Sequence, residues 1–95
     1  MSYSLEFKAS AWKEWQKLDR PIREQFKKKL TERLETPRIE SARLALLPDC
    51  YKIKLRASGY RLVYQVNDAT VAVVVIAVGK RERSRVYRKA GKRAE

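Results

Sequence analysis

Hydrophobic and polar positions alternate most strictly in the middle of the chain. Over residues 50–56, Tyr51, Ile53 and Leu55 fall on one side of an extended backbone, and Lys52, Lys54 and Arg56 on the other. Ala57, Ser58 and Gly59 read as a turn, and residues 60–66 return as a second strand. A two-residue loop at Ser58-Gly59 pairs Leu55 with Leu62, Ile53 with Tyr64 and Tyr51 with Val66, and it sets Arg56 opposite Arg61. Like charges directly opposite on a sheet destabilise it, so this hairpin calls for an anion.

The flanking pattern supplies the rest of the fold. Residues 3–7 alternate and predict a first strand. Ser10 is placed to cap a short helix in which Trp12, Trp15 and Leu18 recur every three residues. Asp19 starts a second helix that tolerates Pro21 in its first turn and repeats Ile22, Phe26, Leu30 and Leu34 at every fourth position. Between these lie Lys27, Lys28, Lys29 and Arg33, read as a solvated helix back with room for a secondary electrostatic contact. Thr36-Pro37 ends the helix. Residues 38–49 form a connector that Leu44, Leu46 and Leu47 pin to the core. After a turn at Asn67-Asp68, residues 70–78 are apolar on both faces, which predicts a central, covered strand that Gly79 breaks. Residues 80–95 read as a loop and a weak helix capped by Ser84 and loosened by Gly91. The order βααβββα gives one α+β domain over residues 1–95. Two N-terminal helices pack on one face of a mostly antiparallel four-stranded sheet, and a basic helix follows at the C-terminus.

Charge changes this picture from a fold to a candidate binder of polyanions. The 95 residues carry a net charge of +12 at an ordinary 44% hydrophobic content. The excess is lopsided: residues 1–49 hold 11 Lys/Arg against 8 Asp/Glu, and residues 50–95 hold 12 against 3. Clustering of that kind points to nucleic acid, whereas solubility alone does not require it. The longest apolar run, residues 71–78, is far short of the roughly 20 residues that cross a bilayer. Glu6 and Lys8 stand where a signal peptide needs apolar residues, so a cytoplasmic protein without membrane contact is expected. Cys50 stands alone and reads as a packed thiol at a strand start.

The chemistry available is narrow. The chain has no histidine, no clustered carboxylates and no glycine-rich phosphate loop, so neither a metal nor another cofactor is expected. Lys, Arg and Tyr remain, and they suffice where RNA supplies its own 2′-hydroxyl as nucleophile. The protein then aligns the reacting atoms, neutralises the phosphorane and moves two protons. A lysine serves as base only if its pKa falls, and neighbouring cations push it down. Lys52 and Lys54, with Arg56 and Arg61 beside them, meet that condition. Arg81 and Arg83 follow the central strand, and spacing alone leaves them between site and solvated loop. Tyr87 is equally a base-stacking residue or a core contact of a terminal helix.

Arg38-Ile39-Glu40 together with residues 48–56, 58–66 and 78–84 closely resembles the RelE family of bacterial toxins. The likeness extends to Lys13-Glu14-Trp15, Arg23-Glu24-Gln25 and Val86-Tyr87, and so spans nearly the whole chain. It implies a ribosome-dependent mRNA endonuclease that works without metal and inhibits translation. Lys52 and Lys54 then bind the scissile phosphate, with Lys54 as general base. Arg61 and Arg81 stabilise the transition state, Arg81 protonates the leaving oxygen, and Tyr87 stacks on the mRNA base beside the cut. Arg56, Lys80 and Arg83 complete the RNA contacts. The implied partners are an acidic RelB-type antitoxin, the 70S ribosome with its 16S rRNA, and mRNA in the A site. Operator DNA is reached only through the toxin–antitoxin complex. Residues 88–93 are more basic and less helix-prone than the family leads one to expect, which bears on how the last helix packs. Two alternatives stand beside this reading: a ParE-type gyrase inhibitor on the same scaffold, and a passive RNA-binding module.

Overall fold

The alternating segments assemble into one four-stranded sheet with helices on both faces. The structure, a computed structural model, describes residues 2–80 and 85–94. Its elements are β1 (Ser4–Phe7), α1 (Ala9–Gln16), α2 (Arg20–Glu35), a 3₁₀ turn (Glu40–Ala42), β2 (Cys50–Leu55), β3 (Tyr60–Asn67), β4 (Ala72–Lys80) and α3 (Arg85–Arg93). The strand order is β1-β4-β3-β2, with β1 parallel to β4 and the other pairs antiparallel. This is the α+β architecture that the order of elements predicts.

Strand periodicity sorts the core into two layers. On one face Trp15 and Leu18, at and just beyond the end of α1, and Phe26 and Leu30 from α2 meet Tyr51, Ile53, Leu55, Leu62, Tyr64, Val66, Val73, Val75 and Val78. On the other face Val86 and Ala90 of α3, with Leu44 and Leu47 of the connector, cover Cys50, Val63, Ile76 and Ala77. A bulge shifts the alternation between the two layers within β4. Val63 pairs with Ala77 but Tyr64 pairs with Val75, so Ile76 is an extra residue in β4 and lies with Ala77 in the layer under α3.

The hairpin register differs from the expected one by two residues. Leu55 pairs with Tyr60, Ile53 with Leu62 and Tyr51 with Tyr64, which leaves a four-residue loop at residues 56–59. Gly59 closes that loop at φ +78°, and its N–H donates to the Leu55 carbonyl at 2.8 Å. A slip of two keeps every side chain on its face, so the apolar pairing stays coherent. It replaces the expected Arg56–Arg61 opposition with Lys54 opposite Arg61. A cation still faces a cation.

Four local expectations also change. Helix α1 begins at Ala9 after Lys8, so Ser10 lies inside its first turn and does not cap it. Leu46 is 93% exposed and pins nothing; Leu44 and Leu47 carry the connector's contact with the core. Gly79 does not break β4, because Arg61 pairs with it and the strand runs on to Lys80. A Cβ at Gly79 would lie 3.2 Å from Val86, so glycine there lets α3 lie close to the strand. Arg33 is half-buried instead of solvated, whereas Lys27, Lys28 and Lys29 are exposed as expected. Ser84, expected to cap the last helix, lies outside the described residues.

Candidate active site

The alternation of β2 and β3 puts Lys52, Lys54 and Arg61 on the sheet face that α3 covers. Cys50 and Val63, at the matching positions of the same two strands, belong to the core layer under that helix. Lys54 is exposed at the end of the ladder, directly opposite Arg61. Lys52 above all, then Arg61, hold the Lys54 ammonium below the usual lysine value; slight desolvation and Arg56 act in the same direction. Arg56 joins Lys54, Leu55, Gly59, Tyr60 and Arg61 in lining a hollow at the loop end of the hairpin.

Helix α3 brings Tyr87 to this cluster. Arg61 Nη1 donates to Tyr87 Oη at 2.6 Å, and the guanidinium carbon lies 5.6 Å from the ring centroid. Of the residues named from sequence, Lys52, Lys54, Arg56, Arg61 and Tyr87 therefore share one surface. Lys80 is exposed at the end of β4, where it pairs with Tyr60. Arg81 and Arg83 lie outside the described residues.

Two supporting groups escaped the sequence reading. Arg33 reaches from α2 to the backbone of the site, where its Nη1 donates to the Lys52 carbonyl at 3.2 Å and to Tyr64 Oη at 2.8 Å. Tyr64, fully buried, donates in turn to the Pro37 carbonyl at 2.7 Å. Position gives one hint: Arg33 stands seven residues after Phe26, on the helix face that meets the sheet. The second group is Glu14 of α1. Its carboxylate accepts from Val78 N–H at 3.1 Å, from Lys89 Nζ at 2.8 Å and from Arg93 Nη1 at 2.9 Å. Burial pushes this carboxyl up, but the hydrogen bonds from Arg93, Lys89 and Val78 outweigh it and hold it below the usual carboxylate range. Lys89 and Arg93 stand four apart on a helix without acids, and that spacing is the signal that could have announced a shared acidic partner.

Comparison with known proteins places the chain among bacterial toxins. The family model described as the ParE toxin of the type II toxin–antitoxin system parDE matches residues 5–85. The chain is 64% identical over 93 residues to the mRNA interferase toxin RelE of Escherichia coli strain K12, covering 98% of each. An R81A/R83A variant of E. coli toxin RelE, solved in the free state, superposes with a TM-score of 0.91 at 62% identity over 98% of both chains. The toxin in the intact E. coli RelBE toxin–antitoxin complex superposes with a TM-score of 0.83 at 63% identity, covering 86% of this chain and 100% of that one.

Proposed function

This chain belongs to the ParE-toxin family of type II toxin–antitoxin systems and, by its near full-length identity, to the RelE members of that family; from that membership we propose that it is an mRNA interferase, a ribosome-dependent endoribonuclease that cuts mRNA in the A site. The observation that carries the reading is the 64% identity to RelE over 98% of both chains. The geometry supports it: Lys52, Lys54, Arg61 and Tyr87 converge on one face, with Lys54 pushed toward its neutral form.

In the reaction Lys54 takes the proton of the ribose 2′-hydroxyl, and the 2′-oxygen attacks the adjacent phosphorus. Lys52 and Arg61 neutralise the phosphorane. The bond to the 5′-oxygen breaks as Arg81 supplies its proton, leaving a 2′,3′-cyclic phosphate and a 5′-hydroxyl. Tyr87 stacks on the base beside the cut, and its hydroxyl holds the Arg61 fork in place. Arg56, Lys80 and Arg83 grip flanking phosphates. The ribosome supplies what this open surface lacks, an mRNA strand held at fixed geometry. The protein works in the cytoplasm, where ribosomes are; no helix among the described residues is long and apolar enough to cross a membrane.

The partner that silences it is an acidic antitoxin of the RelB type, which covers the Lys52–Arg61 face or displaces the segment around Tyr87. Charge complementarity makes that association fast and salt-sensitive. The complex represses its own operon through DNA contacts made by the antitoxin.

The name of the matching family model favours a second reading, gyrase inhibition. One experiment separates the two: mapping mRNA 5′-ends in a translating extract while following plasmid supercoiling. Cuts within A-site codons are expected. Loss of supercoiling without cuts would establish the gyrase reading, and RNA binding without either would leave a passive binding module.

A further inference from the structure

We infer that Glu14 is a positioning residue for the cleavage reaction: from α1 it fixes where α3 sits on β4, and through α3 it sets Tyr87 against Arg61. The inference rests on the mRNA-interferase reading above for its consequence on rate, and on geometry alone for its effect on α3.

Helix α3 has little of its own to hold it. Its nine residues fall short of the roughly 12–15 that an isolated helix needs. It buries Val86 and Ala90, both small, and its sequence carries five cations and no acid. Self-repulsion along such a helix favours release unless an anion sits beneath it.

Glu14 is that anion, and the sheet explains why it sits there. β1 pairs with β4 only as far as Val75, with Lys8 N–H adding one bond to the Val75 carbonyl. Beyond that point the same edge of β4 is met by side chains. Val78 N–H donates to Glu14 Oε1, and Arg93 Nη1 donates to the Ile76 carbonyl at 2.9 Å. The ion pair that grips the helix thus also stands in for the missing strand. The Glu14 and Arg93 side chains are 17% and 23% exposed, so the bond is screened less than a surface pair. Lys89 and Arg93 lie two and six residues beyond Tyr87, about 3 and 9 Å along the axis, so Glu14 grips the middle and the far end of the short rod that carries Tyr87. A shift of the clamped end is transmitted to Tyr87.

The test is Glu14→Gln, whose amide oxygen still accepts from Val78 while the charge that holds Lys89 and Arg93 is gone. Single-turnover cleavage of ribosome-bound mRNA is measured in the wild-type and Tyr87→Ala backgrounds. In the wild-type background the plateau rate should fall on the order of 10- to 100-fold, the scale of an ångström-sized misplacement, with unchanged half-saturation by ribosomes. In the Tyr87→Ala background Glu14→Gln should cost nothing further. Equal losses in both backgrounds would mean a general loss of fold and would overturn the proposal. Hydrogen exchange supplies an arm that needs no activity: amides of residues 85–94 should exchange about tenfold faster or more, while residues 62–66 stay protected. Unchanged exchange in α3 would overturn the docking role even if the wild-type protein cut no RNA, an outcome that separately refutes the interferase reading.

Discussion

Tyr87→Phe removes a single oxygen, and the structure says what that oxygen does. The hydroxyl accepts a 2.6 Å hydrogen bond from the Arg61 guanidinium, while the ring lies under the same group at 5.6 Å. Hydrogen bonds to charged groups contribute roughly 1.5–3 kcal/mol. Both side chains are half-buried, so the lower end applies, about 1–2 kcal/mol after solvent competition. If Arg61 must be held in place when charge develops on the phosphorane, that loss appears in the rate as a fall of about 5- to 30-fold. The ring survives in phenylalanine, and with it the stacking on a base, on the order of 1–3 kcal/mol. Tyr87→Ala loses both. Single-turnover cleavage of mRNA on programmed ribosomes, with plateau rate and half-saturation read separately, distinguishes the two effects. Tyr87→Phe should lower the plateau and leave half-saturation near wild type, whereas Tyr87→Ala should damage both. A phenylalanine variant at the full wild-type rate would refute the positioning of Arg61 by the hydroxyl. One as defective as alanine would give the hydroxyl a direct chemical role and leave the stacking account incomplete.

Loss of the proposed base in Lys54→Ala should slow single-turnover cleavage by roughly 10²–10⁴-fold with ribosome binding little changed, and near wild-type cleavage at saturating ribosome would remove Lys54 from that role. Because the base must be neutral and Lys52 is the main cause of its lowered pKa, Lys52→Ala should raise that pKa. The pH–rate midpoint then moves to higher pH, whatever happens to the maximum, and an unmoved midpoint would disprove the coupling. Arg61→Lys keeps the charge but loses the planar fork, so the cleavage rate should fall far more than affinity for programmed ribosomes; full activity would show that charge suffices there. Tyr64→Phe strips the buried Pro37 carbonyl of its donor and Arg33 of an acceptor, and urea denaturation should show a loss of about 1–3 kcal/mol.

The gap between pattern and structure is clearest in the hairpin. Alternation specifies which side chains share a face, because the strand period is two. A register slip of two residues preserves that property, so the pattern cannot tell Arg56 opposite Arg61 from Lys54 opposite Arg61. The loop decides it, through the backbone that Gly59 adopts and its bond to Leu55. The apolar run of the central strand likewise announces cover on both sides. The bulge that puts Ile76 and Ala77 on one face depends on where β3 pairs with it.

By itself, then, the sequence determined the order of elements, the two-sided sheet and the cationic surface of Lys52, Lys54, Arg56 and Arg61. Each of these follows from local periodicity and charge. Only the tertiary structure decided that Tyr87 meets Arg61, that Arg33 braces the Lys52 backbone, and that Glu14 clamps Lys89 and Arg93. Those contacts join residues 26, 19, 75 and 79 positions apart. No local period links such positions; they meet because α2 packs on one face of the sheet, α3 packs on the other, and a short β1 leaves an edge of β4 for side chains to fill.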